Sequence, residues 1–187
     1  MFGPINMKKT LITLALSAAA LSNVVYANTG TINFEGQVTS GTCSIDIIDP
    51  GTGKEFAGTV PMGSVASSYF KQPGTEGKSR AFALRVKPGA GCDTSATNQG
   101  SVAFTGAYGA AGSGELHALH AGGASGIAMA IKDKSNTLIP FGADSIDYEL
   151  DDTDPTDLLF YAAYRSTDSV VTPGRANVDI HYVFTLK

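Results

Sequence analysis

Ala176-Asn177-Val178-Asp179-Ile180-His181-Tyr182-Val183-Phe184-Thr185-Leu186-Lys187 closes the sequence, and Val178, Ile180, Tyr182, Phe184 and Leu186 share one side of a period-two repeat. Alternation of this kind specifies a β-strand with one buried face. A second alternating run stands near the other end, where Ile32, Phe34, Gly36 and Val38 share one face and Asn33, Glu35 and Gln37 the other. Two such strands, far apart in sequence, pose a pairing question. Each finds its partner within its own molecule or in a neighbouring one.

Between these runs the texture is β throughout. Strands are expected over 31–38, 43–48, 79–86, 101–105, 126–132, 157–165 and 176–186. Turn chemistry separates them at Asp49-Pro50-Gly51, Gln72-Pro73-Gly74, Lys87-Pro88-Gly89 and Thr172-Pro173-Gly174. No long segment carries a helical period, although Leu116 to Leu119 has the residues for one helical turn. Short strands at this spacing imply an all-β sandwich or barrel in one domain.

The first residues read as an export signal. Lys8 and Lys9 precede an apolar stretch over 11–21, and Val25-Tyr26-Ala27 supplies a small-residue cleavage pattern. Cleavage after Ala27 is expected, leaving a chain from Asn28 with no stretch approaching the ~20 apolar residues of a membrane span. The whole sequence carries a formal charge of −4, and loss of two lysines makes the remainder more acidic. An acidic chain is a poor fit to nucleic acid or an anionic membrane surface.

Cys43 and Cys92 are the two cysteines, and in an exported chain they read as one disulfide. No histidine lies near either in sequence, and neither belongs to a CxxC pair, so no metal site or redox pair is read here. The bond closes a loop of about 50 residues, worth roughly 4 kcal/mol in the chain-entropy model.

A search for catalytic patterns yields no enzyme. Ser125 sits in Gly123-Ala124-Ser125-Gly126-Ile127, one glycine short of a GxSxG elbow. The glycine-rich segment 106–126 has neither GK[ST] nor GxGxxG, and it reads as a compact surface hairpin. His117 and His120 have the spacing for a metal on a helical turn, but without neighbouring carboxylates they read as exposed loop histidines. The acidic stretch Asp144, Asp147, Glu149, Asp151, Asp152, Asp154, Asp157 lacks the pattern of a calcium loop. It reads as a solvated loop. No cofactor and no metal are expected.

Three stretches together resemble the pilins of chaperone–usher fimbriae, closest to type-1-like major subunits. They are Gly30-Thr31-Ile32-Asn33-Phe34-Glu35-Gly36-Gln37-Val38 leading to Cys43, the strand preceding Cys92, and Phe160-Tyr161-Ala162-Ala163-Tyr164 followed by Thr172-Pro173-Gly174-Arg175-Ala176-Asn177 and the terminal strand. The resemblance implies an incomplete immunoglobulin-like sandwich lacking its last strand, completed by a donor strand from another subunit. It implies a signal peptide over 1–27, a donor extension over 28–40 and a pilin domain over 41–187. Ile32, Phe34, Gly36 and Val38 would be the donor residues. Val178, Ile180, Tyr182, Phe184 and Leu186 would border the groove that receives them.

The partners implied are neighbouring pilin subunits, a periplasmic chaperone and an outer-membrane usher, with export through the periplasm to a fimbrium on the bacterial surface. Two positions depart from the family pattern. Leu186 stands where many members carry an aromatic, and after the expected cleavage only Asn28 and Thr29 would precede Gly30. The rival from another class is a self-contained secreted immunoglobulin-like domain that binds carbohydrate or protein, in which the N-terminal strand closes its own groove. The absence of tryptophan gives that rival little aromatic surface for sugar stacking.

Overall fold

The computed structural model describes residues 30–36, 43–89, 91, 92, 94 and 98–187. The expected export signal, Val38 and the rest of 37–42 lie outside the described residues. Among those described, eleven strands form: β1 (Gly30–Gly36), β2 (Ser44–Ile48), β3 (Thr59–Gly63), β4 (Arg80–Lys87), β5 (Gln99–Gly106), β6 (Ala110–Ala111), β7 (Leu116–His117), β8 (Ile127–Lys132), β9 (Tyr148–Glu149), β10 (Thr156–Ser166) and β11 (Val178–Leu186). A short 3-10 turn, Ser67–Tyr69, is the only helical element among them. The strands form two sheets, in the orders β3-β1-β11-β5-β9 and β2-β4-β10-β8-β7-β6.

All seven strands expected from the sequence are present. Burial along β11 alternates as its pattern requires, with Val178, Ile180 and Tyr182 buried and Val183 exposed. Along β10, Leu158, Phe160, Ala162 and Tyr164 are buried, and they pack toward the other sheet. Phe104 of β5 meets Phe160 of β10 edge-on at 5.0 Å and Phe82 of β4 at 6.2 Å between ring centroids. Phe82 and Phe160 stack at 5.6 Å. These three rings join the two sheets at the centre of the core, and edge-on and offset contacts of this kind add to the simple burial of area.

β8 has the sequence IAMAIK and is buried on both faces. Met129 and Ile131 enter the main core, whereas Ala128 and Ala130 pack in a smaller cluster with Leu116 and partly buried Leu138. The short β6–β7 hairpin, paired Ala110 to His117 and Ala111 to Leu116, carries Leu116 into that cluster. This hairpin lies in the glycine-rich segment expected to form one, and it replaces the alternative of a helical turn at Leu116.

Four short strands carry too little pattern to be read in advance: β3, β6, β7 and β9. β3 contains Pro61 and stands at the outer edge of its sheet, the place where a strand tolerates a residue with no N–H to donate.

Candidate functional site

β3 and β11 do not pair with each other. Between them lies a slot one strand wide, and β1 occupies it. On one side β1 pairs parallel with β11, matching Ile32 to Val178, Phe34 to Ile180 and Gly36 to Tyr182. On the other it pairs antiparallel with β3, matching Asn33 to Thr59, Ile32 to Val60 and Gly30 to Gly63. The slot is therefore a backbone site first. Two strand edges present rows of donors and acceptors, and a third strand satisfies both.

Its floor is apolar. Val60, Val178 and Ile180 are fully buried and Tyr182 nearly so, while Phe184 and Leu186 are partly buried. Gly100 on β5 makes room for Phe184, since a Cβ there would stand 2.5 Å from its ring. Burial raises the Tyr182 phenol, with the nearby Asp46 carboxylate adding to it, so the ring stays neutral at any ordinary pH.

The start of β11 is held firmly. Tyr164 donates its hydroxyl to the Ala176 carbonyl at 2.5 Å, and burial lifts its phenol well above the usual tyrosine range. Ala124 N–H donates to the Arg175 carbonyl at 2.7 Å and His120 N–H to the Asn177 carbonyl at 2.8 Å. Gly123 lies so close that a Cβ would sit 2.0 Å from the Arg175 oxygen. Beyond the start of β1, an apolar notch continues the slot between Gly63, Val65, Phe70, Tyr164, Val171 and Ala176.

Cys43 and Cys92 form a disulfide. The bond ties the first residue before β2 to the segment after β4, and so fixes the point at which the N-terminal segment leaves the body of the domain.

The other singled-out residues do not assemble into a second site. His117 is fully buried against the Phe141 ring, which corrects its reading as an exposed loop histidine. The Leu116 side of the hairpin is anchored in the core, and its neighbour on the other face goes inward beside Gly106. His120 is exposed as expected, edge-on to Tyr108 at 4.8 Å. Ser125 shares a 2.5 Å hydroxyl contact with Thr172. Asp151 accepts hydrogen bonds from the Thr153 and Asp154 N–H groups and from the Thr153 hydroxyl. Those bonds hold its carboxyl below the usual carboxylate range. Among the described residues, no group of three metal-capable side chains forms, and no helix is long and apolar enough to cross a membrane.

Sequence reasoning found the β11 side of the slot and missed the β3 side. The only signal for β3 was Val60 between Thr59 and Pro61, too short to read as a period.

Residues 32–186 match the family model described as fimbrial protein. The chain is 30% identical over 182 residues to the probable major fimbrial subunit LpfA of Escherichia coli, covering 94% of this chain and 95% of that one. It is 28% identical to the A chain of the Escherichia coli type-1 fimbrial protein, covering 91% and 94%. Among solved structures, an antigen and type I fimbria protein of Burkholderia pseudomallei aligns at 26% identity with a TM-score of 0.54, over 85% of this chain and 93% of that one. The P pilus rod subunit PapA shares the fold at a TM-score of 0.56 and 18% identity, over 78% and 99%.

Proposed function

Because the chain belongs to the fimbrial protein family and serves as a structural pilin subunit, we propose that it polymerises by lending its N-terminal segment, residues 28–40, to the slot between β3 and β11 of a neighbouring copy. One observation carries this reading. The strand that completes the sheet is the chain's own N-terminal segment, joined to the domain only through residues 37–42 before Cys43. A strand held at one end by so short a tether can be exchanged without dismantling the sandwich.

The energetics favour a strand in the slot at all times. An empty slot would leave two unpaired edges beside apolar surface, an aggregation hazard. Burial of an isoleucine, a phenylalanine and a valine contributes roughly 5–8 kcal/mol, and each backbone hydrogen bond adds about 0.5–1.5 kcal/mol. In this account a periplasmic chaperone guards the slot during export. An outer-membrane usher replaces that guard with the next subunit's segment, and the product is a surface fimbrium that supports adhesion. Gly36 leaves the donor face without a side chain at the level of Tyr182 in the parallel register, and we read it as the point where the slot is too narrow for one.

The placement of β1 in its own slot also fits a second reading, a self-contained domain that never exchanges. Phe34→Asp separates the two. Exchange requires that this variant, purified and concentrated, form no fibres under conditions in which the unaltered chain does. Fibres of normal length from Phe34→Asp would remove the donor role. An unaltered chain that stays monomeric with every partner supplied would favour the self-contained domain.

A further inference from the structure

On the outer side of the sheet, away from the slot, the lead into β11 carries a second concavity. Ala176 and Val178 are buried, so alternation along the chain turns Arg175 and Asn177 outward. There they line a cleft of about 300 Å³ with His120 and the turn Ala121-Gly122-Gly123. His120 shares no sequence motif with Arg175 or Asn177, and only the fold brings them together.

Close backbone approach gives the cleft its shape. His120 N–H donates to the Asn177 carbonyl at 2.8 Å and Ala124 N–H to the Arg175 carbonyl at 2.7 Å. A Cβ on Gly174 would stand 2.5 Å from the Ala124 nitrogen, and Gly122 takes φ +81°. The turn is thus pinned to the strand at both ends, and a site formed in advance loses little on binding. Between the pinned residues, the N–H groups of Ala121, Gly122 and Gly123 donate to nothing among the described residues. Successive N–H groups in such a turn make a concavity suited to an anion.

The side chains agree with the backbone. Arg175 is exposed and belongs to none of the ion pairs among the described residues. No acidic residue lines the cleft. His120 directs Nδ1 to the Ala121 carbonyl at 3.0 Å, which leaves its Nε2 to a ligand. A guanidinium beside free N–H groups is a strong receptor for a carboxylate or sulfate.

A different chemistry adjoins the cleft. Tyr108 is 41% exposed in a chain without tryptophan. Its ring stands edge-on to His120 at 4.8 Å, and its hydroxyl donates to Asp179 Oδ2 at 3.0 Å. Asp179 follows Asn177 on the outer face, about 7 Å further along the strand. Its Oδ1 accepts no hydrogen bond among the described residues and can take one from a ligand hydroxyl. A ligand that spans both regions carries an anionic group for Arg175, hydroxyls for Asp179 and a ring with an apolar face for Tyr108. An acidic saccharide has all three.

We propose that the cleft between His120 and Arg175 is a binding site for an acidic saccharide. Arg175 and the 121–123 turn hold its carboxylate or sulfate, and Tyr108 and Asp179 receive the adjoining sugar. All of these residues belong to one chain, so the site does not depend on strand donation. A subunit repeated along a fimbrium presents the site many times, and modest single-site affinity then gives firm attachment through avidity.

The test uses the full mature chain labelled with nitrogen-15, unaltered and as Arg175→Ala and Tyr108→Ala, with amide spectra recorded during titration. The probes are a heparin-derived tetrasaccharide, a hyaluronan tetrasaccharide, neutral maltotetraose and inorganic sulfate. At least one acidic tetrasaccharide should shift the amides of Ala121, Gly122, Gly123 and Asn177, and bind at least about tenfold more tightly than maltotetraose or sulfate. Binding of hyaluronan marks the carboxylate as the recognised group, and binding of the heparin fragment alone marks the sulfate ester. Arg175→Ala should weaken binding about tenfold and Tyr108→Ala about threefold. Arg175 is exposed, so its replacement should leave melting unchanged and its loss of binding is not a loss of fold. No shift at these amides with either acidic probe overturns the site, as does unchanged binding by Arg175→Ala. Equal binding of maltotetraose would remove the anionic requirement, and equal binding of inorganic sulfate would remove the saccharide; either result overturns the proposal. The measurement needs no fibre, so its failure and that of strand donation are separate results.

Discussion

His117 shows what a single residue can conceal in sequence. It lies inside the glycine-rich segment 106–126, three residues from exposed His120, so its surroundings read as loop. The structure buries it completely, with neither ring nitrogen hydrogen-bonded among the described residues. Burial pushes its pKa down to about 4 from an ordinary 6.5. The neutral ring is therefore favoured in the folded chain, while the unfolded chain takes up a proton below 6.5. Above pH 6.5 both states are neutral and this residue gives no pH dependence. From 6.5 down to 4 the unfolded state binds more protons, and stability falls by about 3 kcal/mol in all before levelling off. Urea melts of the unaltered chain and of His117→Leu should show the variant losing about 2–3 kcal/mol less between pH 7 and pH 4.5. Equal losses in the two proteins would mean that the imidazole is not buried.

At the scale of elements, strands with a sustained period of two were legible and short ones were not. β11 and β10 bury alternate side chains over nine and eleven residues, enough to register as pattern. β6, β7 and β9 have two residues each, and two residues have no period. β3 has five, but Pro61 interrupts it, and only its position at a sheet edge makes that proline harmless. The lead into β11 was visible only as turn chemistry, although it is one of the tightest places in the chain. Gly123 has its missing side chain taken up by the Arg175 carbonyl. Gly123→Ala should push that backbone aside, destabilising the fold by roughly 1–3 kcal/mol and loosening the strand that borders the slot. Thermal melts check the first effect, and faster hydrogen exchange at 176–180 checks the second. Unchanged melting and exchange would mean that the 120–124 loop can move off β11 at no cost.

The whole molecule is where sequence reading reached its limit. The alternating N-terminal run, the alternating C-terminal run and the disulfide between Cys43 and Cys92 were all readable, because each is a property of local pattern or composition. Which copy's segment fills the slot was not, because the same backbone pairing serves either source. In the single chain the answer is its own, parallel to β11; in a fibre the account requires a neighbour's. The two arrangements differ in which chain supplies the strand beside β11, and so are distinguishable. The most direct measurement replaces Phe34 with a photoreactive benzoyl-phenylalanine and assembles fibres from an equal mixture of chains labelled with light and heavy nitrogen. After illumination, mass spectrometry reads which chain carries each cross-link to β3 or β11. The account predicts that cross-links in fibres join two chains, half of them pairing light with heavy. Cross-links confined within single chains, in fibres as in monomers, would contradict it.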